Sequence, residues 1–143
     1  MNNILFVCTG NTCRSPIAAA LLRARNIEGI DVKSAGLFAG EGQSASNHAQ
    51  TVLKNYGVSF SHSSSQITNE DLQWATYILT MTNQHKSLII SQAPEVAHKT
   101  FTLKEFAGQE GDITDPFGGS IQVYQHTLEE IEALINKMIK KLK

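Results

Sequence analysis

The chain has 143 residues, 41% of them hydrophobic, which suits one compact domain over residues 1–143 burying roughly two thirds of its unfolded surface. A formal net charge of −1 gives no basic field for nucleic acid or a membrane surface, so neither partner is expected. The first apolar run is too short for a signal peptide or membrane span, and the 2 cysteines make neither a disulfide framework nor a metal site, which points to the reducing cytoplasm.

Residues 4–7 form a continuous apolar run, as a strand buried on both faces requires. Ser15-Pro16 then offers a helix start, and Ile17, Ala20, Leu21 and Ala24 recur at helical spacing, predicting a helix over residues 16–25 that faces a sheet. A short second strand is predicted over residues 32–35. A second helix follows over 46–56, capped by Ser46 and stopped by Gly57. Thr68-x-x-Asp71 is a capping-box variant opening a short helix through Trp74. Residues 77–81 are the third strand, Thr82 or Asn83 caps a helix containing Leu88 and Ile89, and residues 99–103 are a weaker fourth strand. The last helix spans 121–142, with Lys137, Lys140, Lys141 and Lys143 at its C-terminal end, where cations complement the helix dipole in a solvated role. The glycine-rich stretch 108–119 is predicted to be a long loop of the kind that carries function.

The chemistry concentrates in Cys8-Thr9-Gly10-Asn11-Thr12-Cys13-Arg14-Ser15 and in Asp115-Pro116-Phe117. Strand, loop and helix in that order place the loop at the carboxyl end of a parallel sheet, where open α/β folds bind their ligands. Successive N–H groups after Cys8, closing on a helix N-terminus, form an anion nest of phosphate size. The same field and the guanidinium of Arg14 favour a thiolate at Cys8 at neutral pH. Gly10 is the residue expected to take a positive φ and let the backbone curl. Cys-x5-Arg alone arises by chance, and a lone Asp-Pro is an ordinary turn former. Their joint occurrence, with Ser15 after the arginine and an apolar strand before the cysteine, favours catalysis.

The segment from Val7 to Pro16 together with Asp115-Pro116-Phe117 resembles the low-molecular-weight protein tyrosine phosphatase family over nearly the whole chain. The resemblance implies a single-domain three-layer α/β sandwich whose four-stranded parallel sheet is flanked by helices. It implies Cys8 as nucleophile, Arg14 as phosphate clamp, and Asp115 as general acid and later base. Thr9, Gly10, Asn11, Thr12, Cys13, Ser15 and Phe117 are the implied substrate-binding residues, with Ser15 supporting the thiolate. Asn11 matches the strained loop asparagine, and Ser34 and His62 resemble the groups that hold its side chain. No metal or organic cofactor is expected, and phosphorylated proteins are the implied partners.

Within the family the chain looks most like the protein-arginine phosphatase branch. Tyrosine-specific members usually carry a bulky aliphatic residue where this chain has Thr12, and two aromatics after Asp-Pro where it has Phe117-Gly118-Gly119. A phenol ring gains from two apolar walls, whereas a guanidinium needs a carboxylate, a polar neighbour and a single ring to stack on. Phosphotyrosine remains the alternative substrate, and a non-enzymatic phosphate-binding module would use the same nest without needing Asp115. Arsenate reduction by a thiol relay fits poorly, because no cysteine follows Cys13. Cys13 is either a buried structural thiol or the partner that captures an oxidised Cys8 as a reversible disulfide.

Overall fold

The computed structural model describes residues 2–58 and 61–142, so Lys143 of the predicted lysine cluster lies outside the described residues. Strand β1 (Asn2–Cys8) leads through a loop into helix α1 (Arg14–Ala24), followed by β2 (Ile30–Gly36), α2 (Asn47–Asn55), α3 (Asn69–Trp74) and β3 (Tyr77–Thr80). Helix α4 (Asn83–Gln92), a 3₁₀ segment (Pro94–Lys99), β4 (Thr100–Thr102), α5 (Leu103–Phe106) and α6 (Ile121–Leu142) complete the chain. The four strands are all parallel, in the order β2-β1-β3-β4.

Period-two alternation in β1 explains the layering. Ile4 and Phe6 pack into a cluster with Ile17 and Leu21 of α1, Val52 and Leu53 of α2, and Leu128 and Ile131 of α6. Leu5 and Val7 point the other way, into a cluster with Leu72, Ile89 and Val96. All four β1 side chains are fully buried, each contributing about 1.5–3 kcal/mol relative to exposure. The result is the expected α/β sandwich with helices on both faces of the sheet.

The local signals explain most helix ends. Ser46 accepts from the Ala49 N–H at the start of α2, and Gly57 takes φ 85° just after its end. Thr68 and Asp71 exchange reciprocal bonds at the start of α3. Thr82, rather than Asn83, caps α4 by accepting from the His85 N–H. Helix α1 begins at Arg14, two residues before the predicted start, because the loop itself winds into the first turn without a side-chain cap. Its predicted sheet-facing Ala24 is exposed: residues 14–22 are buried in an unbroken run between the sheet and α6, and the helix emerges into solvent beyond them. The fourth strand is only Thr100–Thr102, because Thr102 ends it by capping α5 in a box with Glu105. Lys137, Lys140 and Lys141 are exposed as expected, with Lys141 Nζ 4.6 Å from the centre of the Phe106 ring.

Strand β1 is flanked by β2 on one side and β3 on the other, so the chain leaves it in opposite directions across the sheet. Crevices at the carboxyl end of such a switch point are where this architecture binds ligands. The loop after Cys8 and the first turn of α4 share that edge.

Candidate active site

The backbone of the loop is pinned from outside. The carbonyl of Cys8 accepts from the Leu37 N–H at 3.0 Å, that of Thr9 from Phe38 at 2.9 Å, and that of Thr12 from Ser46 at 2.9 Å. The Asn11 carbonyl accepts from His62 Nε2 at 2.6 Å. These carbonyls are satisfied outside the loop, and the loop borders a cavity of about 240 Å³, where its remaining N–H groups can serve as an anion nest. Cys8, Thr9, Gly10, Thr12, Cys13, Arg14, Asp115 and Phe117 line it.

Asn11, not Gly10, adopts the left-handed conformation, with φ 57°. An asparagine pays less for this than most residues, and three contacts hold it there. Its side-chain amide donates to Ser15 Oγ at 2.8 Å, its side-chain oxygen accepts from the Ser65 N–H at 3.0 Å, and His62 grips its carbonyl. His62 therefore braces the backbone of Asn11 and not its side chain. Ser34 makes no hydrogen bond to Asn11 among the described residues; it lines a separate polar cavity beside His62 and Ser65. Burial lowers the pKa of His62, and the bond to Asn11 opposes that shift. A neutral His62 with its proton on Nε2 satisfies the carbonyl.

Cys8 is the last residue of β1 and is 3% exposed. Its sulfur lies 2.8 Å from Ser15 Oγ. Because that hydroxyl already accepts from Asn11, its one proton is available to the sulfur. Gly36, at the end of β2, permits this packing: a Cβ there would lie 2.7 Å from the Thr9 carbonyl oxygen and 3.0 Å from the Asn11 nitrogen. Cys13 is buried in the loop, its sulfur 3.4 Å from the Tyr124 hydroxyl and 3.6 Å from Ser46 Oγ. Burial is the main cause of a raised Tyr124 pKa, with the Cys13 contact adding to it. Both cysteines are free thiols.

Arg14 is 4% exposed and reaches the floor of the cavity from the first turn of α1. One guanidinium nitrogen donates to the Ile113 carbonyl at 2.8 Å, and the other lies 3.7 Å from Asp115 Oδ2. Ile113 is anchored in turn by its N–H on the Met81 carbonyl at 2.9 Å, which hangs the 108–119 loop from the end of β3. Asp115, with its side chain 52% exposed, accepts from the Phe117 N–H at 3.0 Å, and the Phe117 ring is 76% exposed at the rim. The structure thus brings residues about a hundred positions apart to one cavity. Ser65, Gly36, Ile113 and His85 were not singled out in the sequence; each acts through a tertiary contact that no local pattern announces.

A second cavity of about 210 Å³, between residues 37–38, α3 and α4, has largely apolar and amide walls and no nucleophile. A thiol over an anion nest, with a buried guanidinium and a carboxylate at its mouth on a four-stranded parallel sheet, defines the class of cysteine-based protein phosphatases. The model of the low molecular weight phosphotyrosine protein phosphatases matches residues 3–143, and the chain belongs to that family. It is 55% identical over 140 residues to a protein-arginine-phosphatase of Geobacillus stearothermophilus, covering 97% of this chain and 95% of that one. The solved structure of YwlE arginine phosphatase from Geobacillus stearothermophilus superposes with a TM-score of 0.98 at 54% identity, covering 99% of this chain and 93% of that one. A mutant YwlE arginine phosphatase with a phosphorylated active-site serine superposes with a TM-score of 0.94 at 44% identity, covering 98% and 95% of the two chains.

Proposed function

We propose that this chain is a cytoplasmic protein-arginine phosphatase that hydrolyses phosphoarginine on proteins through a covalent intermediate on Cys8, with residues 1–143 acting as one catalytic unit. The observation that carries the reading is the convergence of Cys8, Thr12, Arg14 and Asp115 on one cavity, with Phe117 as the one aromatic ring among the described residues that line it. The similarity to proteins named arginine phosphatases supports the choice of substrate. No helix among the described residues is long and apolar enough to cross a membrane.

In the proposed cycle the phosphoryl oxygens dock on the N–H groups of residues 9–14 and on the guanidinium of Arg14. The Cys8 thiolate attacks phosphorus in line. As the sulfur–phosphorus bond forms, the phosphorus–nitrogen bond breaks, and protonated Asp115 delivers its proton to the departing guanidine nitrogen. Asp115, now a carboxylate, takes a proton from water, whose oxygen attacks the thiophosphate and releases inorganic phosphate and the thiolate. Ser15 steadies the sulfur in its anionic form at both ends of the cycle. The scheme calls on no metal or organic cofactor.

Thr12 lines the cavity where a bulky aliphatic side chain would suit a phenol, and together with Asp115 it offers polar company to a guanidinium. Phosphotyrosine is the second reading, favoured by the exposed Phe117 ring, which a phenol also stacks on. Turnover of phosphoarginine and phosphotyrosine peptides, measured side by side on the wild type and Thr12→Ile, separates the two. Arginine preference in the wild type that falls in Thr12→Ile supports the proposal; equal or tyrosine-biased rates in the wild type overturn it.

A further inference from the structure

Buried His85 has no role in the cycle above, yet it touches the loop. It stands in the first turn of α4, its backbone fixed by the Thr82 cap, and its Nε2 lies 2.8 Å from the hydroxyl of Thr9. Its other ring nitrogen, Nδ1, is buried with no hydrogen-bond partner among the described residues. Thr9 itself is exposed and lines the loop cavity.

We propose that His85 is a positioning residue that donates to Thr9 Oγ1 and thereby turns the Thr9 hydroxyl proton toward a phosphoryl oxygen bound in the loop. The proposal rests on the reading of the cavity as a phosphate site. Only two neutral tautomers are available, because burial, then the nearby Arg14 charge, brings the ring's pKa down to about 4, with Asp112 and Asp115 acting weakly in the opposite sense. With the proton on Nδ1, a buried N–H would have no acceptor, and Nε2 would take the Thr9 proton away from the cavity. Orphaned buried N–H groups are rarer and costlier than an unused acceptor lone pair, so the proton sits on Nε2. Thr9 Oγ1 then receives one bond, and its own O–H is left to donate. The Thr9 backbone is held as well, through its carbonyl on the Phe38 N–H. The hydroxyl therefore enters substrate binding already aimed, at little further entropic cost.

The test compares Thr9→Val, His85→Phe, His85→Gln and the double variant Thr9→Val/His85→Phe, reading inorganic phosphate affinity by calorimetry and kcat/KM on a phosphoarginine peptide. Thr9→Val and His85→Phe should each weaken phosphate binding by about tenfold, as loss of a hydrogen bond to a charged group does. The double variant should be no worse than Thr9→Val, and His85→Gln, which keeps a donor at that reach, should recover most of the loss. Additive losses in the double variant, or unchanged phosphate binding in Thr9→Val, overturn the proposal. Nitrogen-15 chemical shifts of the His85 ring in the wild type decide the tautomer without any variant: a protonated Nδ1 overturns it, a protonated Nε2 supports it. Phosphate affinity is read independently of turnover, so wild type that binds phosphate but spares phosphoarginine refutes the assigned activity while leaving the Thr9 and His85 comparison decisive.

Discussion

The side-chain amide of Asn11 donates to the hydroxyl of Ser15 at 2.8 Å, and this bond fixes which way the serine proton points. Since Cys8 Sγ is also 2.8 Å from that oxygen, the strained loop asparagine and the sulfur are joined through one hydroxyl.

Asn11→Ala removes that amide and forces an alanine into φ 57°. The variant should lose about 1–2 kcal/mol of stability from the backbone alone, and kcat should fall by more than in Ser15→Ala, which keeps the loop conformation. Thermal melts and steady-state kinetics on both variants check this order; an Asn11→Ala protein as active as wild type would refute the coupling.

Replacing Cys8 by serine should abolish turnover. Asp115→Ala should cut kcat by on the order of 10² to 10⁴ without weakening phosphate binding, because its side chain is half exposed at the mouth and does not hold the phosphate. Single-turnover measurements should show the loss mainly in leaving-group departure, smaller for substrates whose leaving group needs no proton.

His85 makes stability pH-dependent in a definite direction. Its folded pKa, about 4, lies below the ordinary 6.5, so the unfolded chain binds the proton more readily between those values. The contribution is fully present above about 6.5 and is lost as pH falls toward 4, amounting to about 3 kcal/mol. His62, lowered by burial, acts in the same sense. Urea unfolding between pH 7 and 4 should show the decline, and His85→Phe should flatten part of it; an unchanged slope in that variant counts against the assignment.

Cys13 shares the loop with Cys8, and mild peroxide offers a test of its redox role. Peroxide oxygen converts the Cys8 thiolate to a sulfenic acid, and attack by Cys13 expels water and forms the disulfide. Mass spectrometry should show a loss of two hydrogens, reversed by dithiothreitol. Accumulating sulfinic acid on Cys8 would instead leave Cys13 as a structural thiol held by Tyr124 and Ser46.

How much of this was legible in the chain depends on the range of the interaction. The β1–loop–α1 unit was readable because a doubly buried strand is a continuous apolar run and the chemistry of the loop is contiguous in sequence. Ser46, Thr68 and Thr82 were readable as caps because a cap is satisfied within three residues. Helix α5 was missed although Thr102-x-x-Glu105 is a capping box, since Thr102 and Leu103 also fit the end of a strand. Intrinsic freedom points to Gly10 for the left-handed turn, whereas tertiary contacts from Ser65 and His62 hold Asn11 in it. Ser34 was misplaced for the same reason: the acceptor of the Asn11 side chain is Ser15, and its donor is the backbone of Ser65. His85 was invisible, because only the adjacency of β1 and β3 carries it to Thr9.

The Arg14 guanidinium lies 3.7 Å from Asp115 Oδ2. Hydrolysis leaves inorganic phosphate on that guanidinium beside a protonated Asp115; once the acid gives its proton to solvent, its carboxylate competes with the product for Arg14 and helps to clear it by restoring an internal pair. Product inhibition should accordingly deepen when Asp115 is replaced by alanine, even as the chemistry slows.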